Sequence, residues 1–318
     1  MAELRIRTAR HTVRVAAPPR RVYELIADIN RWPQLFDPIV TVGHVGWQGA
    51  GERVRLWELV DGDVRSHVTH LEPAAHRMQM RFRHEDPEPP LASLGGLWLV
   101  LPKGNGSLVA LDHYYRVIDD DPADAAWLAD AVNHNSMATL AALRDAAELD
   151  GVLDGLWLSC SDSVDIDGEA RDVYDFLARA HDWSQRLPHV DQIQVDEDVF
   201  DIQHLAARIR LPNGSVHATK TVRVCFPDTH IVYKQTRPPS VMRSHTGSFT
   251  IARLPHGVRA TATQTVLLNH DAVAALSSTV EDARAAVRDV LRSLSLATLG
   301  RAKKFAEARR PMWTEGAA

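Results

Sequence analysis

Two short stretches of this chain hold an unusual density of side chains able to pass protons. Val64-Arg-Ser-His-Val-Thr-His70 and Leu108–Ile118 alternate like strands, yet carry serine, histidine, threonine and tyrosine. In an apolar pocket such groups donate and accept protons and polarise a carbonyl without a metal having to be invoked. Alternation puts Ser66, Val68 and His70 on one face of the first strand and Arg65, His67 and Thr69 on the other. On the second, Val109, Leu111, His113 and Tyr115 share a face opposite Asp112, Tyr114 and Arg116. With the more apolar faces inward, Ser66, His70, His113 and Tyr115 become the catalytic candidates. Trp32 stands at the mouth, and Met78, Met80 and Phe82 form an apolar wall that leaves Arg81 outside unless a bulge shifts the register. Substrate-binding candidates here are Trp32, Phe36, Arg65, Met80 and Arg81.

Other chemistries are set aside on spacing. His67 and His70 are three apart on a strand, so they face opposite sides and do not chelate. Asp165-Ile-Asp-Gly-Glu169 lacks the first and last ligands of a calcium loop, which fall on Ser163 and Tyr174. No metal site or cofactor is expected. A net charge of −5 argues against a general nucleic-acid partner. The two cysteines, Cys160 and Cys225, suit a reducing cytoplasm, and no run approaches a membrane span.

The elements that position these residues repeat. Arg20-Arg-Val-Tyr-Glu-Leu-Ile-Ala-Asp-Ile-Asn-Arg-Trp32 reads against Arg171-Asp-Val-Tyr-Asp-Phe-Leu-Ala-Arg-Ala-His-Asp-Trp183, an offset of 151 from 183 − 32. Val13/Val164, Gln34/Gln185, Gly96/Gly247 and Gly106/Gly257 share that offset, and the turn dipeptides Asp61-Gly62 and Asn213-Gly214 lie within one residue of it. A shift held over most of a domain length implies duplication, with domains at residues 1–152 and 153–318.

Each half reads as an opening strand, two short helices, six further strands and a long helix, from about Asp121 to Leu149 and from about Asp271 to Arg309. Strands are expected at Ile39–Trp47, Arg53–Val60, Val64–Leu71, Arg77–Arg83, Leu97–Leu101 and Leu108–Ile118. Asn105-Gly106 is read as a hairpin turn, and Glu85 through Gly96 as a proline-bearing loop. In the second half the matching loop carries Arg243 and His245. The order predicts an α+β fold of two tandem helix-grip domains. In each, a curved antiparallel sheet wraps the last helix around an internal cavity.

This order, the segment Trp32-Pro33-Gln34-Leu35-Phe36 and the duplication together resemble the di-domain aromatase/cyclases of bacterial type II polyketide synthases, within the START or Bet v 1-like superfamily. The resemblance implies a cofactor-independent enzyme acting on a poly-β-ketone tethered to an acyl carrier protein, alongside other synthase subunits. It would fold the chain, close the first ring by an aldol reaction and aromatise it by loss of water. The alternative is a carrier of hydrophobic metabolites without chemistry. The resemblance also implies a Ser/Thr-x-Arg pocket strand, which Thr221-Val222-Arg223 matches and the first half lacks. Thr221 and Arg223 join the catalytic candidates. Trp183, Lys220 and Arg243 are the binding candidates of the second half.

Overall fold

The structure is a computed structural model and describes residues 4–149, 151–199, 201–276 and 279–309. The ends of the expected domains, residues 1–3 and 310–318, lie outside the described residues, as do residues 277 and 278 of the expected last helix. The chain divides into two compact units, Met1–Leu153 and Asp154–Ala318.

The first unit runs β1 (Arg7–Val15), α1 (Pro19–Ala27), α2 (Trp32–Leu35), β2 (Ile39–Gln48), β3 (Gly51–Val60), β4 (Asp63–Ala74), β5 (Gln79–His84), β6 (Leu91–Lys103), β7 (Gly106–Val117) and α3 (Pro122–Ala147). After a short helical turn, α4 (Leu153–Leu156), the order repeats. It continues β8 (Trp157–Ile166), α5 (Ala170–Ala178), α6 (Trp183–Arg186), β9 (Val190–Val199), β10 (Ile202–Arg210), β11 (Val216–Phe226), β12 (His230–Arg237), β13 (Met242–Arg253) and β14 (Val258–Leu268). Two helices close it, α7 (His270–Ala275) and α8 (Val280–Glu307).

Each unit holds one antiparallel seven-stranded sheet, ordered β1-β7-β6-β5-β4-β3-β2 in the first and β8-β14-β13-β12-β11-β10-β9 in the second. The strand that opens each unit pairs with the last one, so consecutive hairpins sweep the sheet around toward the long helix. Pro19 starts α1, whose Val22, Tyr23, Leu25 and Ile26 are buried on one face. Asp121 caps α3 by accepting from the amides of Ala123 and Asp124. Among the described residues no helix is long and apolar enough to cross a membrane.

Several boundaries differ from the sequence reading. Strand β6 begins at Leu91, so the connection after β5 is shorter than expected and Gly95 and Gly96 lie inside a strand. They are tolerated because neighbours occupy the Cβ positions: at Gly96, the Phe82 ring and the Asp112 carbonyl. The β6–β7 hairpin turns at Gly104, whose φ is +60°, not at Asn105-Gly106. Gly106 is glycine because a Cβ there would overlap the Val15 carbonyl, as one at Gly257 would overlap that of Ile166. Met78 is a left-handed turn residue rather than a wall residue. The last helix is interrupted: α7 is capped by Asn269, and α8 starts afresh with Thr279 accepting from the amide of Asp282.

Candidate active site

A cavity of about 310 Å³ opens between the concave face of the first sheet and α3. Its wall is aromatic on one side, where Phe36 meets Trp32 edge-on at 5.9 Å and stacks with Trp98 at 6.4 Å. The Trp32 indole is held by a 3.1 Å hydrogen bond to the Ile26 carbonyl, so the Trp-Pro segment presents its ring at a set angle. Arg65, Glu88, Trp127 and the prolines 87, 89 and 90 also border the cavity. Arg65 pairs loosely with Glu88 at 3.8 Å, and both side chains are more than half exposed.

The polar part of the wall comes from β3, β4, β5 and β7. The hairpin through Asp61-Gly62 pairs Val60 with Asp63, and therefore Glu58 with Arg65, Leu56 with His67 and Val54 with Thr69. Partners in an antiparallel pair share a face. Val54 and Leu56 are core residues, so Glu58, Arg65, His67 and Thr69 turn inward with them. Thr69 is in turn opposite His84, which brings that ring to the same face. His67 and His84 stack 4.0 Å apart, and Glu58 Oε2 lies 4.0 Å from His67 Nε2. On β7, His113 faces the Phe82 ring edge-on at 5.4 Å, with Ser136 of α3 at 3.5 Å from its Nδ1.

Burial sets the charge states. It pushes the Glu58 carboxyl up to about 7. It pulls His67 down to about 4, helped by the Arg55 charge, and His84 down to about 3, helped by His67 and His113. His113 falls to about 4 through burial and His11, partly opposed by Asp112. Near neutral pH the cavity therefore holds three uncharged imidazoles and one carboxyl poised to gain or lose a proton. Among the described residues no group of three or more His, Cys, Asp or Glu is placed to hold a metal ion.

Several sequence expectations are corrected. His70 faces away from the cavity: its Nε2 meets the Gln48 carbonyl at 3.2 Å, its Nδ1 lies 3.4 Å from Glu72, and it packs against Gly51. His70 shares its face of β4 with Val68, but the concave side of this strand lines a cavity and is the more polar one. Ser66 borders the cavity between Arg65 and His67 without joining the imidazole cluster. Tyr115 does turn inward, yet packs with Val117 and Leu128 beside the cavity. Met80 is core under Trp98 and does not line the space. Arg81 alternates to the exposed outer face of β5. His113, Trp32, Phe36 and Phe82 line the cavity as the sequence reading placed them, whereas Arg65 lines it from the face of β4 that was expected to turn outward. Glu58, His67 and His84 were missed as site residues, although the hairpin arithmetic from Asp61-Gly62 would have placed the first two.

The interior of the second unit carries a different polar set. Arg223 pairs across strands with Tyr233, as Leu71 pairs with Phe82 in the first unit, so the guanidinium sits where the first unit has a leucine. Arg223 is 1% exposed, donates to the Leu177 carbonyl at 2.6 Å and lies 4.9 Å over the Trp183 ring. Burial lowers its pKa. Thr221 shares its face, whereas Lys220, expected as a binding residue, points to the exposed side of the strand. Arg243 is half-buried at a β-bulge opening β13. His245 lies within that strand, not in a loop. It shares Gln264 Oε1 with the Tyr233 hydroxyl, at 2.7 and 2.5 Å, while the Gln264 amide donates to Ser295 of α8 at 3.0 Å. Gln264 and Ser295 stand where His113 and Ser136 stand in the first unit, but Gln264 is also bonded by Tyr233 and His245.

The comparisons agree with this architecture. A family described as polyketide cyclase / dehydrase and lipid transport matches residues 7–148. The granaticin polyketide synthase bifunctional cyclase/dehydratase of Streptomyces violaceoruber is 37% identical over 310 residues, 95% of each chain. The chain belongs to this family. The actinorhodin counterpart of Streptomyces coelicolor is 33% identical over 91% of this chain and 93% of its own. Among solved structures, the di-domain aromatase/cyclase BexL of the BE-7585A biosynthetic pathway superposes with a TM-score of 0.84 at 40% identity, covering 96% of this chain and 100% of that one. StfQ of the steffimycin pathway gives 0.82 at 30% identity, covering 95% and 99%. The expected family, the two helix-grip domains and the polyketide cyclase/dehydratase activity are thus borne out.

Proposed function

We propose that this cyclase/dehydratase works in its N-terminal cavity, on a poly-β-ketone delivered by an acyl carrier protein. The observation that carries the reading is the cavity itself, with aromatic rings on one side and neutral imidazoles on the other. An intramolecular aldol reaction gains most from holding one curl of a flexible chain, and effective molarities on the order of 10^5 M or more are reached by orientation alone. Trp32, Phe36 and Trp98 form the surface against which the ketone chain curls. His113, oriented beside Ser136, donates to an acceptor carbonyl. Arg65 meets the polar end of the incoming arm.

The C-terminal unit supports this work rather than repeating it. Its Gln264 and Tyr233 are committed to internal hydrogen bonds, and its Arg223 donates through Nη2 to Leu177 and packs over Trp183, with Nε and Nη1 unpartnered among the described residues. Both cysteines are free, which fits action in a reducing cytoplasm.

The test adds the full chain to a minimal polyketide synthase with a ketoreductase and compares it with Ala131→Trp, which places an indole in the cavity from α3. The wild type should replace shunt products by an aromatised first ring, and the variant should restore the shunt products. An unchanged product spectrum with wild type, or full activity in the variant, rejects the reading.

A further inference from the structure

We propose that Glu58 is the proton-transfer group of the water-loss step, with His67 as the donor that holds the ketone oxygen; this rests on the N-terminal cavity being the working site. The argument begins with the β3–β4 register, which turns Glu58, Arg65 and His67 inward together. Glu58 and His67 are too far apart, at 4.0 Å, for a hydrogen bond to each other. Among the described residues His67 Nε2 has no hydrogen-bond partner although it is buried. A fold does not ordinarily leave a buried imidazole nitrogen without a partner, and here it faces a carboxyl that lines the same cavity. An oxygen-bearing ligand between them satisfies both.

The charged and titratable groups around Glu58 leave it free for that task. Arg65, its cross-strand partner, leans to Glu88 at the rim. His84 of β5 stacks on His67 and stays uncharged, as does His113 of β7. No neighbouring charge contributes to the carboxyl's shift, which burial alone produces, and it lands where a base also serves as an acid near neutral pH.

In a ring-closed β-hydroxy ketone the Glu58 carboxylate takes the proton from the carbon between ketone and carbinol. The electron pair of that C–H bond moves onto the ketone oxygen, held by the Nε2–H tautomer of His67. A neutral imidazole is a suitable donor to an enolate. The pair then returns, the bond from carbon to the hydroxyl breaks, and the departing hydroxide takes the proton from Glu58. One water leaves, the carboxylate is restored, and nothing is oxidised or reduced.

The experiment uses the purified full chain and hydroxytetralone, a β-hydroxy ketone that becomes fluorescent naphthol on losing one water. Wild type should form naphthol with a rate that climbs to a plateau above about pH 7. Glu58→Gln should lower kcat about 100-fold or more with little change in KM, and should lose the pH dependence. Glu58→Asp should recover part of the rate, and His67→Phe should slow it while keeping the pH limb. No naphthol from wild type, or Glu58→Gln within about threefold of it, overturns the assignment. If wild type makes naphthol by way of Glu58 but leaves the synthase products unchanged, the Glu58 role stands and the carrier-bound reading fails.

Discussion

Glu58→Gln should cost activity and increase stability, with a pH dependence that follows from the structure. The carboxyl rises from its ordinary 4.5 to about 7 because the fold buries it with no counter-charge. Between those values the folded chain holds a proton that the unfolded chain has released, so wild-type stability falls as pH rises through the window. Below 4.5 the group is protonated in both states and carries no penalty. Above 7 the penalty is complete, about 3 kcal/mol. Gln is nearly isosteric with protonated Glu and has no charge to bury. The variant should therefore exceed wild type by about 3 kcal/mol near pH 8.5 and by about 1 kcal/mol near pH 5. Urea unfolding of both full-length chains at the two pH values measures the difference, and the histidines shared by both cancel. An advantage independent of pH, or a variant less stable at alkaline pH, would refute the claim that Glu58 is a desolvated carboxyl in a protein interior.

Other outcomes follow from the same interiors. His67, His84 and His113 stay neutral in the fold down to about 4, 3 and 4. The unfolded chain binds their protons from about pH 6.5 downward, so stability should be fully present above 6.5 and drop as pH falls toward 4, seen as a falling urea midpoint. Arg223→Met should leave thermal stability unchanged or raised by up to about 2 kcal/mol, since a buried guanidinium without a carboxylate is costly to desolvate. Trp183→Ala should instead cost about 3–5 kcal/mol by calorimetry, whereas Trp32→Ala should also redirect cyclisation products. Gly96→Ala should destabilise by about 1–3 kcal/mol, because the new methyl meets the Phe82 ring and the Asp112 carbonyl. Phe82→Leu in the same chain should restore only part of this in thermal melts, since the carbonyl remains.

What the sequence alone determined was the repeat and the order of elements. The 151-residue offset is carried by positions whose identity both units require for the same backbone contact. Gly106 and Gly257 are two of them, each pressed against a carbonyl of the opening strand. Hydrophobic alternation also settled β7, where Leu111 and His113 face inward as read. It failed on β4, because the usual rule that the apolar face turns inward assumes a solid core. Here the concave face lines a cavity, so the polar set Arg65, His67 and Thr69 is the inner one and His70 the outer. Only the cross-strand register brings Glu58, His67 and His84 onto one wall from three strands. Their perturbed protonation belongs to the tertiary structure alone, since it arises from water excluded by residues distant in the chain.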